Sequence, residues 1–494
     1  MLNLLTSEQI RKADKHTIQH KPISSVDLME RASEAFTELF IKNYPDKNKP
    51  IAVYCGTGNN GGDGLAIARL LNQKGYNINV KISRFSGKST TDFDINLARI
   101  VARKIAFDEF NSFSELKEET ADIIIDALLG SGLNKPLQGE WLTLVEWLNS
   151  LGKPIISVDI PTGFSAEGPI IKQNVTIKAE LTICFHRPKI NFLLPESELC
   201  INRFEVVDIG LDERFIQSVD TPYKFLEASD IKSRLKKRKS FSHKGTYGHT
   251  LIIAGAPETM GAALLCAEAS LHTGSGLTTA CIPPEGLIAL NIRIPEVMAR
   301  LRYRSLPIDL IWDKYNVVAI GPGLGTSADS KQVLEETLKN FRHPMVIDAD
   351  AINILSTNPE LIFGIPKFSV LTPHVKEFDR LFGTHETWWD RMETGIKKAK
   401  ELHLIIILKN RYSMIFLPAG ECIFNPTGTP AMATGGMGDV LTGIIASFLA
   451  QGYKPEDAAI LGVYLHGKAG EEIEKAEGVA VVPASKLAQG IARF

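Results

Sequence analysis

Three stretches of this chain hold residue types and spacings that could do chemistry. The first is CGTGNNGGDGLAIARLL (55–71), with glycines at 56, 58, 61, 62 and 64 and with Asn59, Asn60 and Asp63 among them. A β-rich run enters it. A helical run leaves it, with Ile67, Leu70 and Leu71 on one face and Gly75 as its stop. Glycine lets the backbone bend and approach a ligand closely, and free N–H groups at a helix start bind anions. The spacing is neither a Walker A pattern nor a clean GxGxxG, and a glycine loop alone is equally a tight turn. The added polar side chains point to a ligand. The second stretch is a pair of strand ends: Asp126 closes IIID before ALLGSGLNKPLQG, and Asp159 closes IISVD before IPTG. Each alone could be a turn or helix-cap aspartate. Three strand ends meeting on the carboxyl edge of an open α/β sheet favour a site. The third is NPTGTPAMATGGMGDVLTGIIASFLAQG (425–452), where Gly435, Gly436 and Gly438 precede Asp439. Val440, Leu441, Ile444, Ile445, Phe448 and Leu449 follow on a buried helix face, and Gly452 ends it. Such a turn makes an anion hole from free amides and the helix dipole. Asp439, in the first turn, is placed to take a proton from a hydroxyl beside that hole. The alternative is an aspartate that merely stabilises the helix start.

The elements that must position these residues alternate along the chain. SEQIRKADKHTI and SVDLMERASEAFTELFIKNY read as two helices, the second capped by Ser25. Near-continuous apolar runs follow at 50–55, 78–82, 121–130, 153–161, 179–185 and 203–210, the pattern of a parallel sheet covered on both faces. A second series lies at 249–256, 276–282, 316–323, 344–350, 368–373 and 404–409. The expected fold class is α/β: a doubly wound unit over 1–212, a linker over 213–242 and a second α/β unit over 243–494. The linker holds a basic cluster of Arg234, Lys236, Lys237, Arg238 and Lys239, read as a solvated face or, less favoured, a phosphate-steering patch.

The composition is that of a soluble globular protein: 494 residues, 44% hydrophobic, 23% charged, net charge −2. It gives no general pull toward nucleic acid or anionic membrane. Cys55, Cys184, Cys200, Cys266, Cys281 and Cys422 form no CxxC pair and no zinc-spaced cluster; small buried hydrophobes in a reducing compartment is the reading. The N-terminal stretch lacks a secretory core and no apolar run reaches ~20 residues, so a cytoplasmic protein without membrane partners is expected.

GTGNNGGDG, DALLGSG and DIPTG, in this order, with HRPKINFLLPE (186–196), resemble the NAD(P)H-hydrate epimerase family, the YjeF N-terminal domain, over nearly all of 1–212. The resemblance implies a Rossmann-like fold. It also implies substrate binding by Asn59, Asn60, Gly61, Gly62, Asp63 and by Gly130, Ser131, Gly132, Leu133, Asn134, Lys135, Pro136. Asn60, Asp126 and Thr162 would ligate K+, and Asp159 would bind substrate and handle protons at the reacting carbon. Thr162 stands where the family usually has serine, and both supply a hydroxyl.

GGMGD resembles the GxGD signature of the ribokinase-like fold. With HKGTYGHTLIIAGAPETMGAALL, AIGPGLG, VIDADAINIL, LTPHVKEFDRL and LKNRYS, roughly 240–490 resembles the ADP-dependent NAD(P)H-hydrate dehydratases. The resemblance implies that Ala262, Gly323, His374 and Asp439 contact the hydrate. Lys409, Asn410, Arg411, Tyr412, Ser413 and Gly438 would hold the nucleotide. ADP is the implied co-substrate, with Mg2+ on its phosphates. Alone, His374 would as readily be a structural histidine. Val375–Lys376, Thr429, Ala431, Met437 and Asn410 depart from the family pattern. The implied activity is epimerisation of the R and S forms of hydrated NADH and NADPH, then dehydration of the S form. The expected partners are these small molecules, and a homo-oligomer is expected. A small-molecule kinase with an accessory domain, and an N-terminal binding scaffold, are the competing readings.

Overall fold

The computed structural model describes residues 1–132 and 135–493. The chain forms two compact units, Asn3–Thr221 with Thr387–Trp389, and Met1–Leu2 with Pro222–Glu386 and Asp390–Phe494.

In the N-terminal unit seven parallel strands lie in the order Phe107–Phe110, Ile78–Ser83, Ile51–Cys55, Ile123–Ala127, Ile155–Val158, Ala179–Phe185, Ile201–Val207. The chain winds outward from Ile51–Cys55 in one direction, then resumes on its other side with Ile123–Ala127. This reversal opens a crevice over the carboxyl ends of those two strands. Both strands are buried at every residue, which is why they read as continuous apolar runs and not as alternating ones. One face is covered by Phe36 and Phe40 of helix Ser25–Asn43 with Leu65, Ile67 and Leu71 of helix Asn59–Gln73. The other face is covered by Leu144, Val145 and Leu148 of helix Glu140–Ser150.

The second sheet runs Tyr223–Phe225, Cys422–Phe424, Met414–Phe416, Ile405–Leu408, Val370–Leu371, Val346–Ile347, Val317–Ile320, His249–Ile253, Leu277–Ile282, Met298–Leu301. It is parallel except where Met414–Phe416 meets its two neighbours. Its reversal lies between His249–Ile253 and Val317–Ile320. Helix Met437–Ala450 packs on helix Met260–Thr273 at Gly443, where an added Cβ would stand 2.1 Å from the carbonyl oxygen of Cys266. That close approach sets where the start of the Asp439 helix falls.

Several local expectations are revised. Helix Ser25–Asn43 is capped by Ser24, whose hydroxyl accepts from the Asp27 amide, and not by Ser25. Ser25 instead donates to Asp92. The stretch 213–242, read as the linker, holds helix Glu213–Ser218, strand Tyr223–Phe225 and helix Ala228–Arg234, and the units divide within it at Thr221/Pro222. Much of the basic cluster is tied down. Arg234 pairs with Asp457 (2.9 Å), Lys236 donates to the Gly452 carbonyl (2.8 Å), and Arg238 lies 3.9 Å over the Tyr247 ring and donates to the Gly274 carbonyl. Gly452 and Gly274 follow helix ends, where carbonyls carry partial negative charge. All six cysteines are buried and free. Among the described residues no helix is long and apolar enough to cross a membrane.

Candidate active sites

In the N-terminal unit the glycine loop and the two strand-end aspartates meet at the sheet's reversal. Helix Asn59–Gln73 starts at Gly58 with no side-chain cap, so its first amides are open to a ligand. Gly61 is there for packing: its Cβ would lie 1.8 Å from the Gly56 carbonyl oxygen. Asn59, Asn60, Asp63, Gly130, Ser131, Gly132 and Asp159 line one cavity of about 450 Å³. An adjoining cavity of about 210 Å³ shares Asn59, Asp63, Ser131 and Asp159 and adds Lys189, His186 and Arg187. Gly61 and Gly62 do not line either cavity, Gly62 packing on Met29. Lys135 and Pro136 are exposed and line neither. Leu133 and Asn134 lie outside the described residues.

Asp126 is fully buried beneath this floor. Its Oδ2 accepts from Ser157 Oγ and the Thr162 amide (2.9 Å each). Its Oδ1 accepts from Thr162 Oγ1 (2.6 Å) and the Leu128 amide (3.3 Å). Burial pushes its pKa up and these hydrogen bonds oppose the rise. Thr162 Oγ1 also accepts from the Leu129 amide, at 3.0 Å, fixing the loop that carries Gly130. Asn60 packs on Gly130, and its buried side-chain nitrogen has no partner among the described residues. Asp126, Thr162 and Asn60 are therefore brought to one place.

Asp159 sits in the left-handed region, φ +64°, a strained backbone for a residue with a side chain. Its Oδ1 accepts from Lys189 Nζ (2.7 Å) and from the Phe185 amide (2.9 Å). Lys189 is 2% exposed. Burial works against its ammonium, but Asp159 and its neighbours outweigh that and hold its pKa above the usual lysine value. The sequence reading gave Lys189 no role, although it lies in the HRPKINF segment. It also passed over Asp14, which lines both cavities from helix Ser7–His20. Burial raises Asp14 to about 6, with Lys189 opposing and Asp159 adding to the rise. Burial, then Asp159, Asp14 and Asp92, push Asp63 well above the usual carboxylate range.

In the C-terminal unit, helix Met437–Ala450 begins after Gly436 in the left-handed region (φ +90°) with no side-chain cap. Asp439 stands in its first turn, and its carboxylate makes no hydrogen bond to any described residue. Burial raises its pKa to about 7, Asp348 adds to this, and Lys409 opposes it. A passive helix-start aspartate would be engaged by the N–H groups there, so this arrangement suits a proton acceptor better. Lys409 Nζ holds Asp348 at 3.0 Å and Thr442 donates to the same carboxylate at 2.8 Å. Burial would raise the Asp348 pKa, but the Lys409 charge and these hydrogen bonds keep it below the usual value. Gly438 faces both: an added Cβ would lie 3.2 Å from Lys409 Nζ and 3.6 Å from Asp348 Oδ2.

Lys409, Asn410, Arg411, Ser413 and Gly438 line a cavity of about 430 Å³ with Asn425, Thr427 and His466. Both polar atoms of the buried Asn410 amide lack protein partners, which leaves them for a ligand. Tyr412 does not line this cavity. Ala262 and Gly323 come together at the sheet's reversal: a Cβ on Gly323 would lie 3.0 Å from that of Ala262. Neither lines the Lys409 cavity. His374 proves to be a helix cap: Nδ1 accepts from the Lys376 and Glu377 amides, at 3.0 and 3.4 Å. Glu377 returns the bond to the His374 amide at 2.8 Å. The same buried Glu377 is among the charges that raise Asp439.

Residues 25–191 match the family model described as YjeF-related protein N-terminus, and residues 250–493 that of NAD(P)H-hydrate dehydratase. A bifunctional NAD(P)H-hydrate repair enzyme of Moorella thermoacetica is 33% identical over 98% of this chain and 95% of its own length. The enzyme of the same description in Escherichia coli K12 is 33% identical over 99% of this chain and 93% of its own. A solved ADP/ATP-dependent NAD(P)H-hydrate dehydratase from Bacillus subtilis, co-crystallised with ATP and Mg2+, is 29% identical over 55% of this chain and 96% of its own, with a TM-score of 0.49. Two family models side by side along the chain, and bifunctional relatives 33% identical over nearly its whole length, place this chain in the family of bifunctional NAD(P)H-hydrate repair enzymes.

Proposed function

We propose that the N-terminal unit interconverts the R and S hydrates of NADH and NADPH, and that the C-terminal unit dehydrates the S form at the expense of ADP. The observation that carries the reading is Asp439, an uncommitted carboxylate poised near pH 7 at an uncapped glycine-rich helix start.

Hydroxide is a poor leaving group, so the C6 hydroxyl must be converted to a better one. Asp439 takes its proton while the oxygen attacks the terminal phosphate of the nucleotide. The amides around Gly436–Gly438 stabilise the charge that develops there. Lys409 and the Asn410 amide hold the nucleotide, and Ala262 and Gly323 receive the ring. The ring nitrogen then expels phosphate, restoring the dihydropyridine. Mg2+ would accompany the nucleotide and would supply positive charge against that of its phosphates.

In the epimerase, Asp159 faces the reacting carbon and Lys189 keeps it oriented, while Asn59, Ser131 and the amides after Gly58 hold the dinucleotide in register. Asn60, Asp126 and Thr162 offer oxygen donors around a buried carboxylate, a set that fits K+. These residues would hold the ion, which would fix the Gly130 loop against the glycine helix.

To test the reading, the protein is mixed with ADP, Mg2+ and the equilibrated hydrate, and the reduced-nicotinamide absorbance is followed. Full recovery from both epimers is expected. A stable phosphorylated product without recovery would reject it in favour of a kinase.

A further inference from the structure

Resting on the epimerase reading above, we infer that Asp14 is a second catalytic residue of that site, the acid–base partner that works opposite Asp159 on the substrate's ring nitrogen.

Epimerisation at C6 by ring opening needs two proton movements at two atoms. Asp159 takes the proton of the C6 hydroxyl as the C6–N1 bond breaks and a carbonyl forms. The electron pair of that bond ends on N1, which must receive a proton. Asp14 in its acid form supplies it and becomes a carboxylate. Rotation presents the opposite face of the carbonyl, and the same steps in reverse close the ring: N1 returns its proton to Asp14 and attacks C6, and Asp159 protonates the oxygen. The balance is one proton out and one in at each carboxylate.

The geometry supports this role. Helix Ser7–His20 lies outside residues 25–191, yet it supplies Asp14 and Arg11 to the walls of both cavities. The helix is firmly held. Thr6 and Gln9 form a capping box at its start, the Ser7 amide and hydroxyl bind Glu167, and Thr17 Oγ1 accepts from the Asp212 amide at 2.9 Å. Asp14 therefore has a fixed position on the cavity wall. Its half-buried carboxylate makes no hydrogen bond to any described residue and opens onto both cavities. The groups that share its cavities are Arg11, Asp63, Asp92, Asp159, His186, Arg187 and Lys189. Asp159 is paired with Lys189, and Asp14 stands on the same two cavities as a carboxylate outside that pair. Burial brings Asp14 to about 6, where both of its forms are populated near neutrality.

The test uses the full chain with Asp14→Asn and Asp14→Glu. Epimerisation is read as the conversion of purified R hydrate, the melting curve and circular dichroism serve as the control for folding, and dehydration of purified S hydrate as the control for the other site. Asp14→Asn is expected to lose about 10²-fold or more in epimerisation kcat, with KM within about threefold and dehydration unchanged. It should also lose the pH dependence near 6. Asp14→Glu should recover part of the rate with a displaced limb. Epimerisation within threefold of the parent by Asp14→Asn would overturn the assignment. Should Asp14→Asn fail to fold, an Asp14→Glu pH profile identical to the parent's would overturn it instead. If the unaltered chain does not convert R hydrate, the epimerase reading itself falls.

Discussion

At the scale of single residues, the account rests on carboxylates whose surroundings give them different tasks. Asp348, Lys409 and Thr442 form a closed ionic group, whereas Asp439 beside them has no hydrogen-bond partner among the described residues. A base must be ionised to work, so dehydration kcat should rise with pH and level off above about 7, the value to which burial brings Asp439. A flat profile from pH 5.5 to 8.5 in stopped assays would contradict this. Asp439→Asn should lower dehydration by 10²–10⁴-fold and leave epimerisation intact. The same substitution has a stability consequence. A carboxyl whose folded pKa is raised favours folding below its unfolded value, and that contribution is lost as pH rises through about 7. At pH 8 the ionised Asp439 therefore costs stability. Asp439→Asn should melt higher there, by about 2–4 °C per kcal/mol regained for a unit of this size, and by less at pH 5. Equal shifts at both pH values would show that ionisation is not the cause.

At the scale of elements, the two sheets do the positioning. Each reverses its winding at one point; the glycine loop, Asp126, Ala262 and Gly323 follow the strands that flank a reversal, whereas Asp159 and Lys409 follow strands farther along the same sheets. The buried strands were legible in the sequence because a strand covered on both faces must be apolar throughout. Short or peripheral strands were not. Phe107–Phe110 spells FDEF, with Asp108 and Glu109 exposed. The hairpin Met414–Phe416 and Cys422–Phe424 has only three residues per strand. The glycine loops announced the two sites, and the structure gives their residues different places: a side chain at Gly61 or Gly62 would clash with the Gly56 backbone or Met29, while Asn59 and Asp63 line the cavity. Asp14 was illegible because a polar residue on an amphipathic helix looks solvent-facing until the helix is placed. His374 was read as a ligand contact; its Nδ1 also closes a capping box with Glu377, visible in the spacing HVKE. At this scale Gly438→Ala is informative. Its Cβ would press on the flexible end of Lys409 and crowd the space for phosphate. KM for ADP should rise about tenfold or more with little change in melting temperature. An unchanged KM would remove the glycine turn from the phosphate site.

At the scale of the whole molecule, the two units carry separate cavities with separate aspartates, so the activities should be separable by single substitutions. Asp159→Asn should still dehydrate S hydrate but leave the R form untouched, whereas Asp439→Asn should equilibrate the epimers without restoring reduced nicotinamide. Loss of both activities by either change would mean that the two sites do not work independently. The most direct test of the central claim follows the unaltered chain with ADP, Mg2+ and a defined mixture of R and S hydrates, reading absorbance and released phosphate together. The account predicts that reduced nicotinamide recovers to the total of both epimers, with one phosphate released per molecule restored. Recovery that stops at the S fraction would contradict the epimerase half, and phosphate retained on a stable product without recovery would contradict the dehydratase half.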